Sequence, residues 1–247
     1  MVSFQPEDFV EKFRRDGMVV LQNFVTSDEV RELKSACAAI LEKMDQDDVP
    51  KVSFSTINNK HHSEAYFIES GDRIRPFFEE GAFDPTTEKL RLPIGNSVNK
   101  VGHALHVLDP VFSNFTLGPR FQSLAIALKM TDPRIVQSMY IFKPPGIGGP
   151  VVPHRDETYL RTEPEEDSEL VGVWLPLDSA TEENGCLWFV PGSHAERSTR
   201  KFVRVLDGGT VSTVYEGEED AVPSDEAWVP VPVEPAQLNY RLKNAEM

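Results

Sequence analysis

Between residues 135 and 233 the chain reads as short strands separated by turn residues, and few folds accept that rhythm. Residues 135–142 form an apolar, β-branched run that stops at Pro144-Pro145. A second run covers 170–177, and a third covers 186–190, entered through the Asn184-Gly185 turn. Runs at 202–206, 210–214 and 228–233 follow. Strands this short, recurring at intervals of roughly 10–15 residues, predict an antiparallel barrel or sandwich.

The first half has a different period. Pro6 opens a helix on which Phe9, Val10 and Phe13 share a face, and Gly17 ends it. Met18-Val19-Val20-Leu21 is a short buried strand. Thr26 and Glu29 have capping-box spacing, and Val30, Leu33, Cys37, Ile40, Leu41 and Met44 then recur at helical steps. Cys37 on that stripe is a core filler. The pattern dissolves over residues 45–60, and Phe77, Phe78 and Phe83 pack about a turn. A helix over 96–108 carrying Lys100, His103 and His106 is expected, and another after Gly118-Pro119. The fold class is therefore α+β: one domain over 1–233, with a helical preface (1–132) buttressing a barrel (133–233), and then a tail, 234–247.

Composition narrows the function. A net charge of −15 disfavours nucleic acid and anionic membranes as partners. Acidic patches at 163–167 and 216–220 read as solvated surface. The local basic group Arg197, Arg200, Lys201 and Arg204 is surface charge, or a seat for an acidic substrate tail. Apolar stretches are strand-sized, so no membrane span is expected. The N-terminus lacks the layout of a secretory signal. Cys37 and Cys186 have no paired spacing, which places the chain in a reducing cytosol. Neither a phosphate-binding glycine loop nor a Ser-His-Asp ordering is present.

His154-Arg155-Asp156 carries the chemistry. On a strand end, His-x-Asp supplies two thirds of the 2-His-1-carboxylate triad that holds non-haem Fe(II) on one face. A second, later histidine completes such a triad. His194 is the one that follows, but it sits in the turn Pro191-Gly192-Ser193-His194, where its ring is expected to tie the turn down. His103 and His106 read as structural histidines beside the barrel, His61-His62 as solvated, and Trp188 as core.

Around this pair, the runs Gln137 to Pro144, Gly172-Val173-Trp174 and Glu183 to His194 resemble the phytanoyl-CoA dioxygenase family. Asn99-Lys100-Val101-Gly102-His103-Ala104-Leu105-His106 and Ser70-Gly71-Asp72-Arg73-Ile74-Arg75 extend the likeness over nearly the whole chain. The resemblance implies a double-stranded β-helix of the jelly-roll or cupin-like kind, with Fe(II) at one mouth and 2-oxoglutarate as co-substrate. It implies His154 and Asp156 as iron ligands, and Lys100, Met139 and Trp174 as the lining of the 2-oxoglutarate pocket. An ammonium at Lys100 is also a natural partner for a dicarboxylate. The implied activity is hydroxylation of a small molecule, an acyl compound among the candidates.

One segment departs from the pattern. The family continues past Val233 with a strand bearing a distal histidine, and then an arginine that grips the far carboxylate of 2-oxoglutarate. Here Glu234-Pro235 leads to Ala236-Gln237-Leu238-Asn239-Tyr240-Arg241-Leu242-Lys243-Asn244-Ala245-Glu246-Met247. The resemblance thus implies a barrel without its last strands. It allows a second reading, a catalytically incompetent variant that acts as a metal- or 2-oxoglutarate-binding or interaction protein.

Overall fold

The computed structural model describes residues 6–44, 65–160, 169–196, 198–235 and 238–242. Helix α1 (Pro6–Asp16) ends at Gly17, whose φ of 82° needs the left-handed region that glycine enters freely. Strand β1 (Met18–Leu21) leads to α2 (Ser27–Glu42), whose N-cap is Thr26. The Thr26 hydroxyl accepts from the Glu29 N–H, and the Glu29 carboxylate accepts from the Thr26 N–H at 2.8 Å, which completes the expected capping box. Val30, Leu33, Cys37 and Leu41 are buried along the predicted stripe. Burial pushes the Cys37 thiol up to about 12, as suits packing rather than chemistry.

Short α3 (Ala65–Ile68) precedes β2 (Ile74–Phe78) and β3 (Val98–His103), and three helices follow: α4 (Leu105–Leu108), α5 (Pro110–Thr116) and α6 (Pro119–Ala127). Then come β4 (Ser138–Ile141), the single turn α7 (Glu157–Leu160), β5 (Val171–Trp174) and β6 (Leu187–Phe189). The hairpin β7 (Lys201–Asp207) and β8 (Thr210–Glu216), β9 (Val229–Val231) and β10 (Leu238–Leu242) complete the described elements. All pairings among the named strands are antiparallel, in the orders β1-β10-β5, β2-β3-β4, β6-β9 and β7-β8.

Four expectations are corrected. Residues 98–103 are a strand, not part of a helix over 96–108; the α-helix there is confined to Leu105–Leu108. Gly102 weakens a helix by about 1 kcal/mol, whereas a strand lets Met139 lie against it, with a Cβ at Gly102 falling 2.9 Å from the Met139 Cγ. The expected preface contributes β1, β2 and β3 to sheets shared with later strands, so the two halves are distinct in chain order but not in space. The tail is not excluded from the sheets: β10 lies between β1 and β5, pairing Leu21 with Leu238 and Trp174 with Asn239. Its alternation of Leu238, Tyr240 and Leu242 with polar residues is the period-2 signature of a strand. Trp188 is 39% exposed rather than core, because β6 pairs with β9 alone among the described strands.

Two larger clusters and a smaller one hold these elements together. Phe9, Phe13, Val19 and Phe24 pack with Leu124 and Leu128 of the α6 region. Leu33, Cys37 and Leu41 of α2 pack on Phe78, Val98, Val101 and Leu105. Met18, Val231 and Val233 form the third, with Val20, Trp174, Leu187 and Phe189 around them. A fully buried Phe13 or Phe77 contributes about 1.5–3 kcal/mol by leaving water. The α2 helix thus backs one face of β2-β3-β4.

Candidate active site

His154 lies in the loop that leads to α7 and Asp156 in the turn that opens it, neither of them in a sheet strand. Pro144, Pro145, Pro150 and Pro153 crowd that approach, and proline cannot donate to a ladder. The two side chains nevertheless converge: the His154 Nε2 stands 3.5 Å from the Asp156 Oδ1. On the far side of the ring, the Nδ1–H donates to the Val152 carbonyl at 2.9 Å, leaving the neutral ring its lone pair on Nε2. A backbone carbonyl on one nitrogen is how metal-binding histidines are oriented. With metal–ligand bonds of about 2.0–2.2 Å, donors at this spacing fit adjacent corners of one coordination sphere. Among the described residues no group of three His, Cys, Asp or Glu side chains forms a metal-binding cluster.

Lys100 and Met139 belong to the sheet β2-β3-β4. Phe77 pairs with Lys100, Lys100 with Ile141, and Gly102 with Met139, so these side chains share one face. Val101 and Tyr140 take the opposite face and pack in the α2 cluster. Lys100 is 8% exposed, with its Nζ 5.5 Å from the Phe77 ring centroid and 5.9 Å from that of Phe67. Desolvation by this apolar surround pushes its ammonium down to about 7. Trp174 stands apart on β5, packed with Met18, Val231 and Val233. The five residues singled out in the sequence thus fall into a convergent pair, a shared sheet face and a separate cluster.

The histidines outside the pair have structural partners. The Ser70 hydroxyl donates to the Phe67 carbonyl at 2.6 Å, so the His103 Nδ1–H donates to the Ser70 Oγ, 2.8 Å away. Burial first, and then the neighbouring Lys100, push His103 down to about 4, so its ring is neutral. The His106 Nδ1 lies 2.7 Å from the Ser138 Oγ, and burial lowers its pKa as well. The His194 Nε2–H donates to the Arg14 carbonyl at 2.8 Å and fastens its turn to the end of α1. His61, His62 and Arg197 lie outside the described residues.

One neighbour of the pair, Tyr159, carried no motif signal. The Tyr159 ring on α7 is 6.2 Å from that of His154, and its hydroxyl is 3.1 Å from that of Tyr215 on β8. The Phe202 ring packs against both, and the Arg200 guanidinium sits 4.4 Å over the Tyr215 ring. Only proximity to Asp156 in the chain could have pointed to Tyr159.

Comparison with known proteins places this arrangement. The sequence profile of the family described as phytanoyl-CoA dioxygenase matches residues 13–236. The chain belongs to the phytanoyl-CoA dioxygenase family. A family relative in Danio rerio, phytanoyl-CoA dioxygenase domain-containing protein 1, is 42% identical over 228 residues, covering 91% of this chain and 77% of its own. The Caenorhabditis elegans homologue of that protein is 45% identical over 203 residues, covering 81% of this chain and 69% of its own.

The fold agrees with the family. SnoK, a non-heme alpha-ketoglutarate-dependent carbocyclase from nogalamycin biosynthesis, superposes with a TM-score of 0.60 at 19% identity, covering 97% of this chain and 75% of its own. EctD from S. alaskensis, crystallised with 2-oxoglutarate and 5-hydroxyectoine, gives 0.59 at 18% identity, covering 100% and 71%. Among the described residues, no helix is long and apolar enough to cross a membrane.

Proposed function

We propose that this member of the phytanoyl-CoA dioxygenase family is an Fe(II)- and 2-oxoglutarate-dependent hydroxylase of a small molecule. An acyl-type substrate suits the family name. The fold would be the double-stranded β-helix of such enzymes, a reading that the likeness to SnoK and EctD supports. The observation that carries the proposal is the 3.5 Å approach of the His154 Nε2 to the Asp156 Oδ1, with the ring oriented from behind by the Val152 carbonyl.

In this reading His154 binds Fe(II) through Nε2 and Asp156 through its carboxylate. When bound, iron and 2-oxoglutarate would support oxidation by O2, one oxygen atom entering succinate as 2-oxoglutarate loses CO2 and the other converting a substrate C–H to C–OH. Lys100 presents its ammonium to a 2-oxoglutarate carboxylate; because its pKa lies near neutrality, it takes up a proton as the dianion arrives. Met139, on the same sheet face as Lys100, would line the co-substrate pocket, whereas Trp174 lies in the separate cluster with Met18, Val231 and Val233. The test is Fe(II)-dependent release of succinate from 2-oxoglutarate, with Asp156→Ala as the control. Turnover in this chain and none in the variant is expected, and equal rates in both would overturn the assignment.

A second reading is favoured by β10, where Leu238-Asn239-Tyr240-Arg241-Leu242, a strand without histidine, lies between β1 and β5. On that reading the chain binds the metal or 2-oxoglutarate without turning it over. Mn(II) binding with background succinate release would select it.

A further inference from the structure

Residues alternate in direction around the ligand pair. His154 and Asp156 face one another, while Arg155 and Glu157 are buried on the other side at 4% and 2% exposure. The Arg155 Nη1 donates to the carbonyl oxygens of Ser193 and Glu196, both at 3.0 Å. Its Nη2 lies 3.6 Å from the Glu196 carboxylate and its Nε 3.9 Å from that of Asp220. Glu157 accepts the Ser198 N–H at 3.4 Å, and the Ser198 hydroxyl donates to Asp220 at 2.9 Å. The chain just before this anchorage is itself fixed, because the Gly192 N–H donates to the Asp16 carbonyl at 2.9 Å and His194 donates to that of Arg14.

Side chains on a sheet strand are aimed by the ladder. The segment from Val151 to Arg155 carries no strand, so its orientation has to come from other bonds. We propose that Arg155 is a positioning residue for the metal site: its guanidinium, clamped on the Ser193 and Glu196 carbonyls, holds the backbone so that the His154 and Asp156 donors stay convergent. The inference rests on reading these two residues as metal ligands. Arginine suits the role because its planar fork donates in two fixed directions, whereas a lysine ammonium is a point charge on a flexible stem. Removing the guanidinium leaves the buried Ser193 carbonyl and the part-buried Glu196 carbonyl without this donor and frees the peptide between the ligands to rotate.

The test compares the intact chain with Arg155→Lys and Arg155→Met, and uses Thr26→Ala as a control that weakens the fold at a distant helix cap. Mn(II) affinity is read by electron paramagnetic resonance, and ligand geometry by the visible spectrum of bound Co(II). Arg155→Met is expected to bind Mn(II) about 10–100-fold more weakly, as for lost partners of metal ligands, with an altered Co(II) spectrum. Arg155→Lys is expected to fall between it and the intact chain, and Thr26→Ala to match the intact chain in both readouts. Unchanged affinity and superimposable Co(II) spectra in both Arg155 variants would overturn the positioning role while leaving the ligand reading in place. If the intact chain and Asp156→Ala bind Mn(II) alike, the ligand reading itself fails and the positioning role falls with it. Should Arg155→Met fail to fold, Arg155→Lys alone decides: a weakened Mn(II) affinity supports the proposal, and parental affinity overturns it.

Discussion

The His194 ring presses on Gly17, so that a Cβ at Gly17 would stand 2.4 Å from the His194 Nδ1. The φ of 82° at Gly17 adds a second objection to any side chain there. Gly17→Ala should therefore destabilise the protein by more than about 1 kcal/mol, read as a lower urea midpoint at unchanged slope. Combining it with His194→Ala should cost less than the sum of the two single changes, since the clash is then gone. Strict additivity would show that the contact carries no energy.

Asp156→Ala should abolish the quenching of tryptophan fluorescence by added Fe(II) or Mn(II). Removing a metal ligand should cost at least the roughly 10–100-fold that loss of an outer partner costs. A titration superimposable on that of the intact chain would remove Asp156 from the metal site.

Lys100 carries two predictions about binding. Lys100→Ala should weaken 2-oxoglutarate binding by about 1.5–3 kcal/mol, the range for hydrogen bonds to charged groups. In the intact chain the affinity should be flat below pH 7 and decline above it, because the ammonium is lost from the free protein at about 7. Calorimetric titration from pH 6 to 9 checks both.

Stability should respond the other way. The unfolded chain keeps the Lys100 proton to its ordinary value of 10.5, the folded chain only to about 7, so the unfolded state binds more protons between those values. Over that window this group's contribution becomes more favourable as pH rises, after costing most below pH 7. Lys100→Met should accordingly stabilise the fold most at pH 6, with the gain shrinking toward pH 10. A gain independent of pH would place the lysine charge in water.

Tyr240→Pro removes one backbone N–H from a strand that pairs on both sides. Each buried carbonyl left without a donor costs about 1–3 kcal/mol, so the midpoint of unfolding should fall markedly. The same change in an exposed connection, at Ala221 for example, is not equivalent and should be measured beside it. Equal effects at the two positions would argue against β10 as a central strand.

The sequence was most readable where one physical signal acted alone. Thr26 and Glu29 announce the start of α2 because capping is local, and the 3- and 4-residue recurrence from Val30 to Leu41 needs no partner to be recognised. Residues 98–103 misled because Lys100, His103 and His106 suggested helical spacing, while the strand there is imposed by pairing with β2 and β4. In the candidate site, the convergence of His154 and Asp156 agrees with their spacing, but the anchorage of Arg155 depends on carbonyls nearly forty residues further on. β10 is hard to read from sequence because Leu238, Tyr240 and Leu242 alternate over only five residues, and so short a run becomes a strand through its pairing with β1 and β5.

The pairing of β1 with β10 joins partners more than two hundred residues apart. Strand β1 must wait for one made more than two hundred residues later, with β5 waiting beside it. Local helices such as α2 can form early, but this sheet closes only after almost all of the described chain has been synthesised. Contacts of such sequence separation slow folding and leave strand edges exposed meanwhile. For this protein, the hazard of aggregation is therefore greatest during biosynthesis, and slower translation would lengthen it rather than relieve it.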